Sequence, residues 1–177
     1  QIGHRNSIDI DLFSQNEFDS ESLLNFLKLN YIIEERYMGK NTLIVFINNI
    51  KVDFLTHKCD YVKPPISEDG IHFLSKEDIA AMKLNAISHS GKRLKDFIDI
   101  YFLLEHFSFD AMINFYKVKY PYSNILIPMK ALNFFDDIDE TMDPPKLLSP
   151  LPFEKIKTRI REATLHPYKI FVTTQQL

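Results

Sequence analysis

The chain has 177 residues, 45 % of them hydrophobic and 25 % charged, with a formal net charge of −3. That balance fits one domain, or two small subdomains, with a buried core, and it excludes both a disordered polyelectrolyte and binding of nucleic acid by bulk charge. Cys59 is the single cysteine, which excludes a disulfide framework and a thiolate zinc cluster, and no apolar run reaches membrane length, so a soluble cytoplasmic protein without a membrane partner is expected.

The first residue is Gln1, and the chain runs directly into strand-like sequence with no leader, which reads as a segment whose beginning is missing. Residues 7–13 alternate, with Ile8, Ile10 and Leu12 on one side and Ser7, Asp9, Asp11 and Phe13 on the other, as in a strand. In "FDSESLLNFLKLN" an Asp19 or Ser20 cap precedes a stripe of Leu23, Leu24, Phe26 and Leu27, as in a helix. "YIIEERYM", "TLIVFI" and "IKVDFLTH" follow, separated by turns at Gly39–Asn41 and Asn48–Asn49, and predict a three-strand antiparallel meander.

After Pro64-Pro65 the pattern becomes helical. Ser75 and Asp78 form a capping pair for "KEDIAAMKLNAISH", which Gly91 ends. A very apolar helix is predicted over 92–107, and others over about 109–118, 122–136 and 152–165, the last after the proline-rich "DPPKLLSPLP". The expected class is α+β: a small mixed or antiparallel sheet in residues 1–63, then a helical region over 64–177.

Side chains two apart on a strand point the same way, so Asp9 and Asp11 share a face about 7 Å apart along the backbone, a gap their carboxylates can close around a cation. Asp53 is a third acid in an otherwise apolar strand, and if that strand pairs beside the first the three carboxylates converge. Like charges so placed raise each other's pKa unless compensated, and an oxygen-only set suits Mg²⁺ over Zn²⁺. Two such ions would support phosphoryl or nucleotidyl transfer. Taken alone, an Asp-Ile-Asp is more often the wet face of a half-exposed strand.

In the helical half, Lys83 lies in the apolar stripe of Ile79, Met82 and Ala86, and so needs an anion, either a carboxylate such as Asp99 or a substrate phosphate, unless its amine snorkels to water. Lys95, Asp96 and Asp99 occupy the polar remainder of the next helix, where Lys95 and Asp99 could form an exposed pair or face a cleft. Lys92, Arg93 and Lys95 suit phosphate or RNA backbone if they are not simply solvated, and His4 and Arg5 could contact phosphates or merely end a strand.

The segments "GHRNSIDIDLF", "IKVDFL", "LSKEDIAAMKLNAI" and "GKRLKDFIDIYFLL" resemble the nucleotidyltransferase AbiEii/AbiGii toxin family, whose fold is polymerase-β-like. The resemblance covers residues 3–105, with a weaker echo in "ALNFFDDIDE" and the closing helix. It implies Asp9 and Asp11 as the metal pair with Ser7 beside them, Asp53 as the third carboxylate, and Lys83 with Asp99 or Asp96 as the lysine and aspartate of the helical half. It also implies a cognate antitoxin.

Members carry a Gly-Gly or Gly-Ser element about ten residues before the acidic pair, whereas here Gly3 stands alone and too close to Asp9. The expected function is therefore a toxin-type nucleotidyltransferase using Mg²⁺ and NTP, with tRNA or another RNA as acceptor. Asp9, Asp11, Asp53, Lys83 and Asp99 would be catalytic, and Ser7, Arg5, His4, Lys95 and Asp96 would bind substrate. The rival is an inactive module of the same fold that lacks the glycine-rich phosphate-binding element.

Overall fold

The computed structural model describes residues 3–142 and 144–172. The chain divides into two units, one formed by residues 7–59 and the other by the segment up to Asn6 together with residues from Asp60 onward. The first strand, β1 (Arg5–Asn6), thus belongs to the second unit.

The first unit is one sheet with one helix: β2 (Ile10–Ser14), α1 (Ser20–Asn30), β3 (Ile33–Gly39), β4 (Thr42–Ile47) and β5 (Ile50–Thr56). The strand order is β2-β5-β4-β3, with β2 parallel to β5 and the other neighbours antiparallel. Asp19 caps α1 by accepting a hydrogen bond from the Ser22 amide at 3.1 Å, which satisfies one of the helix's unpaired first-turn donors. The turn between β4 and β5 is built from Asn48 and Asn49, both with positive φ (51° and 67°), the backbone a two-residue hairpin requires and asparagine tolerates.

Leu24 and Leu27 of α1 pack with Leu43, Val45 and Val52 from β4 and β5, and these five are the buried core of the unit. Because side chains alternate across a strand, Ile44, Lys51 and Asp53 lie on the opposite face.

In the second unit β6 (Ile66–Glu68) and β7 (Ile71–Phe73) form a hairpin turned at Asp69 and Gly70, whose φ values are 50° and 79°. Among the described residues five helices follow: α2 (Lys76–His89), α3 (Leu94–Leu103), α4 (Phe109–Lys119), α5 (Leu126–Ala131) and α6 (Phe153–Leu165), with β8 (Lys146–Leu147) before the last. Helix α2 packs against α3, α4 and α5, and α3 against α6. The resulting core includes Leu84, Phe97, Ile100, Leu103, Phe109, Met112, Leu132, Ile156 and Ile160. β1 pairs antiparallel with β8, extended by a hydrogen bond from the Leu148 amide to the His4 carbonyl at 3.2 Å.

The α+β class holds, with a mixed sheet first and helices after it. Several elements differ from expectation. The helix predicted over 122–136 shrinks to the six residues of α5, within which Pro128 supplies no backbone donor. The apolar helix predicted over 92–107 is helical only from Leu94 to Leu103, with turns beyond. The β6–β7 hairpin and the β1–β8 pairing were not expected at all.

The buried side of α2 is Ala80, Ala81, Leu84 and Ile87, so Ile79, Met82 and Ala86 flank the core rather than fill it. Asp78 does more than cap. It is fully buried and accepts from the Ser75 hydroxyl at 2.6 Å, the Lys119 ammonium at 2.7 Å and the amides of Val62 and Lys63.

Candidate functional site

The parallel pairing of β2 with β5 sets Asp11 directly opposite Asp53. Register partners in adjacent strands lie about 5 Å apart and point to the same face, so these two carboxylates are neighbours on the sheet face opposite α1. Lys51, two residues before Asp53 and therefore on that same face, donates from its ammonium to Asp53 Oδ2 at 2.6 Å. The other oxygen, Asp53 Oδ1, is buried without a hydrogen-bond partner. A buried acceptor left unpaired costs the desolvation of that atom, and it marks a position where a donor or a cation would be favourable.

Asp9 precedes β2 and is half-buried, Asp11 is exposed, and Ser7 is exposed. Among the described residues no three histidine, cysteine, aspartate or glutamate side chains are grouped closely enough to hold a metal ion. The convergence of all three acids expected from sequence is therefore seen for Asp11 and Asp53, without Asp9. A depression of about 560 Å³ in the same unit is lined by residues such as Glu17, Ser20, Met38, Lys40 and Asn41, and the acidic pair has no part in it.

In the helical unit the charged residues form a tight network. Lys83 on α2 reaches Asp96 Oδ1 at 2.7 Å and Asp99 Oδ2 at 2.8 Å, both on α3. Arg5 grips Asp99 with two parallel bonds, Nε to Oδ1 at 2.9 Å and a terminal nitrogen to Oδ2 at 3.1 Å, and His4 Nε2 meets Oδ1 at 2.8 Å. The His4 ring stacks on Phe102 with centroids 4.5 Å apart, and its Nδ1 is buried without a partner.

Asp96 and Asp99 are each only 4 % exposed. Burial alone would push the Asp99 carboxyl up, but the hydrogen bonds from His4 and Arg5 and the charge of Lys83 outweigh it and hold the group well below the usual carboxylate range. Burial likewise works against the Lys83 ammonium, and the charges of Asp99 and Asp96 overcome it, so the amine titrates above its ordinary value.

Lys83 therefore does find an anion, and it is protein carboxylate. Asp99 is buried rather than exposed, and its oxygens are engaged by Lys83, Arg5 and His4. His4 and Arg5, which could contact phosphates or merely end a strand, bond to Asp99. Lys95 is half-buried, and His57 sets its ring edge-on to Phe13 at 6.0 Å. The buried Lys119–Asp78 pair went unforeseen; its one sequence signal is Lys119 standing three residues after the buried Tyr116, in line with the apolar face of α4.

The family model described as nucleotidyl transferase AbiEii toxin, type IV TA system, matches residues 44–166. The chain belongs to the AbiEii family. An uncharacterized protein of Aquifex aeolicus (strain VF5) is 33 % identical over 146 residues, covering 79 % of this chain and 70 % of that relative. No solved structure matches the chain.

AbiEii membership supports a nucleotidyltransferase-type function and, as a type IV toxin–antitoxin family, implies an antitoxin partner. Among the described residues no helix is long and apolar enough to cross a membrane. The AbiEii match includes β5 with Lys51 and Asp53 and the whole Lys83–Asp96–Asp99 network apart from Arg5 and His4. Asp9 and Asp11 lie ahead of it. The donor set at Asp11 and Asp53 fits Mg²⁺, which binds through one or two carboxylates and completes its shell with water and substrate phosphates. The unpartnered Asp53 Oδ1 is the specific atom that such an ion would satisfy.

Proposed function

We propose that the protein is a Mg²⁺-dependent nucleotidyltransferase of the toxin type, acting in the cytoplasm on NTP and an RNA acceptor, most simply tRNA, and controlled by a cognate antitoxin. The observation that carries this reading is the Asp11–Asp53 pairing with Asp53 Oδ1 left open. Asp11 and Asp53 are the residues that would hold Mg²⁺, and the family resemblance adds Asp9, which the structure does not group with them. The ion would supply charge stabilisation for the phosphates and the pyrophosphate that leaves.

In the transfer, the acceptor oxygen forms a bond to the α-phosphorus while the bond to the bridging α–β oxygen breaks. The acceptor's proton passes to Asp53 or through water to bulk. Ser7, at the head of the acidic strand, and Lys95 are assigned as substrate contacts. Lys83 and Asp99 are assigned to the same reaction on the strength of the family resemblance. Asp96 bonds to Lys83, and Arg5 and His4 bond to Asp99, which supports a positioning role for them.

The test is transfer of label from NTP to RNA in the presence of Mg²⁺, comparing the full chain with Asp11→Asn. We expect a loss of about 100-fold or more, since removing one charged ligand removes a substantial part of the electrostatic stabilisation. Equal transfer by the variant would take Asp11 out of the mechanism. A folded wild type that transfers nothing to any RNA would favour the inactive binding module.

A further inference from the structure

Two carboxylates on neighbouring strands repel each other, and the sheet face that carries them also holds a compensating charge, the Lys51 ammonium 2.6 Å from Asp53 Oδ2. Lys51 is only partly exposed, its side chain at 35 % and that of Asp53 at 15 %, so the pair is not an ordinary solvated surface bridge. Its position is set by the strand itself. Lys51 and Asp53 are two residues apart on β5, with Val52 between them fixed in the core against α1, so the ammonium cannot leave that face of the sheet.

The bond it makes is also one-sided. Oδ2 is taken, Oδ1 is buried and empty-handed, and Asp11 stands opposite.

We infer that Lys51 is the resident counter-ion of the acidic pair, a positioning residue that neutralises and orients Asp53 in the metal-free protein and competes with the divalent cation for it. The inference rests on the proposed metal role of Asp11 and Asp53 and adds a residue to it. A divalent ion held by Oδ1 would be close to the ammonium on Oδ2, and at short range like charges repel strongly even at an effective dielectric of about 20. Lys51 therefore lowers the affinity for the ion and, in its absence, protects the sheet from carboxylate repulsion. The two effects have opposite signs, and this distinguishes Lys51 from a residue that merely stabilises the fold.

The experiment uses Mn²⁺ as the probe, with its binding to the full chain followed by electron paramagnetic resonance and thermal melting recorded in chelator and in Mn²⁺. Lys51→Met keeps the apolar stem and removes the charge. It should melt lower than wild type in chelator yet bind Mn²⁺ about tenfold more tightly, so that the gain in melting temperature on adding Mn²⁺ is larger in the variant. Lys51→Gln serves as a second charge-free variant should the methionine protein not fold, and Lys51→Arg, which retains the charge, should stay close to wild-type affinity. Unchanged or weaker Mn²⁺ binding in the charge-free variants, with wild type binding normally, overturns the inference and leaves the metal site standing. If wild type itself binds no Mn²⁺, the proposed metal site fails and the inference goes with it.

Discussion

At the scale of single residues, the molecule commits several charges to one another at low exposure. Asp99 faces three cationic or hydrogen-bonding side chains, and removing its charge by Asp99→Asn would leave Lys83 and Arg5 with a neutral amide in place of a carboxylate. Because both cations keep some access to water, the cost should be no more than about 3 kcal/mol, read from the shift in urea midpoint. Lys119 and Asp78 have no such relief, their side chains being 1 % and 0 % exposed, and Lys119→Met should cost about 3–5 kcal/mol in the same measurement.

The pH dependence follows from the same groups. Asp99 and Asp78 are depressed below their ordinary values, so each contributes stability that is present above about pH 4 and is lost as pH falls toward the folded value. Lys83 is raised, so its contribution is complete below about pH 10 and disappears as pH rises through its folded value. Melting temperature should therefore form a plateau across neutral pH. It should fall on both sides, with the acid limb flattened by Asp99→Asn.

An anion for Lys83 was one of two readings that its place on α2 allowed, the other being an amine reaching water. That Arg5 and His4 would reach the same carboxylate was not legible, since they lie 94 and 95 residues away and no local periodicity connects them.

At the scale of elements, strand register determines what the acids can do. Alternation showed that Asp9 and Asp11 share a face. Only the pairing of β2 with β5 decided which of them would meet Asp53, and long-range pairing of that kind leaves no trace in a short window of sequence. The hairpin β6–β7 leaves little trace in the sequence for another reason. Its strands are three residues long, too short for alternation to stand out, although the Asp69-Gly70 pair at its turn is the residue combination a two-residue hairpin turn demands.

The sheet depends on a core of five buried side chains, which makes each one consequential. Leu43→Ala, at a position with no exposure, should destabilise by about 2–5 kcal/mol through lost burial and the cavity left behind. The loss should be visible as faster hydrogen exchange at the amides of β4 and β5.

At the scale of the whole molecule, the α+β class and the sequence of sheet then helices were legible because composition and periodicity change together near Pro64. Each unit has its own buried cluster, with no side chain shared between the two. The path of the chain was less apparent. Residues 4–6 are tied to α3 by Arg5 and His4 and to β8 by strand pairing, the chain then leaves to build the sheet, and it returns at Asp60.

In chain order the sheet unit is thus inserted between two segments of the helical unit, and a cut just before Asp60 would part Arg5 and His4 from the helix they bond. The helices released by such a cut would retain Asp96 and Asp99 yet forfeit the guanidinium and imidazole that accompany Lys83. A version in which a flexible glycine-serine bridge replaces residues 7–59 would keep them. Of the two truncated proteins, the bridged one should withstand acid better.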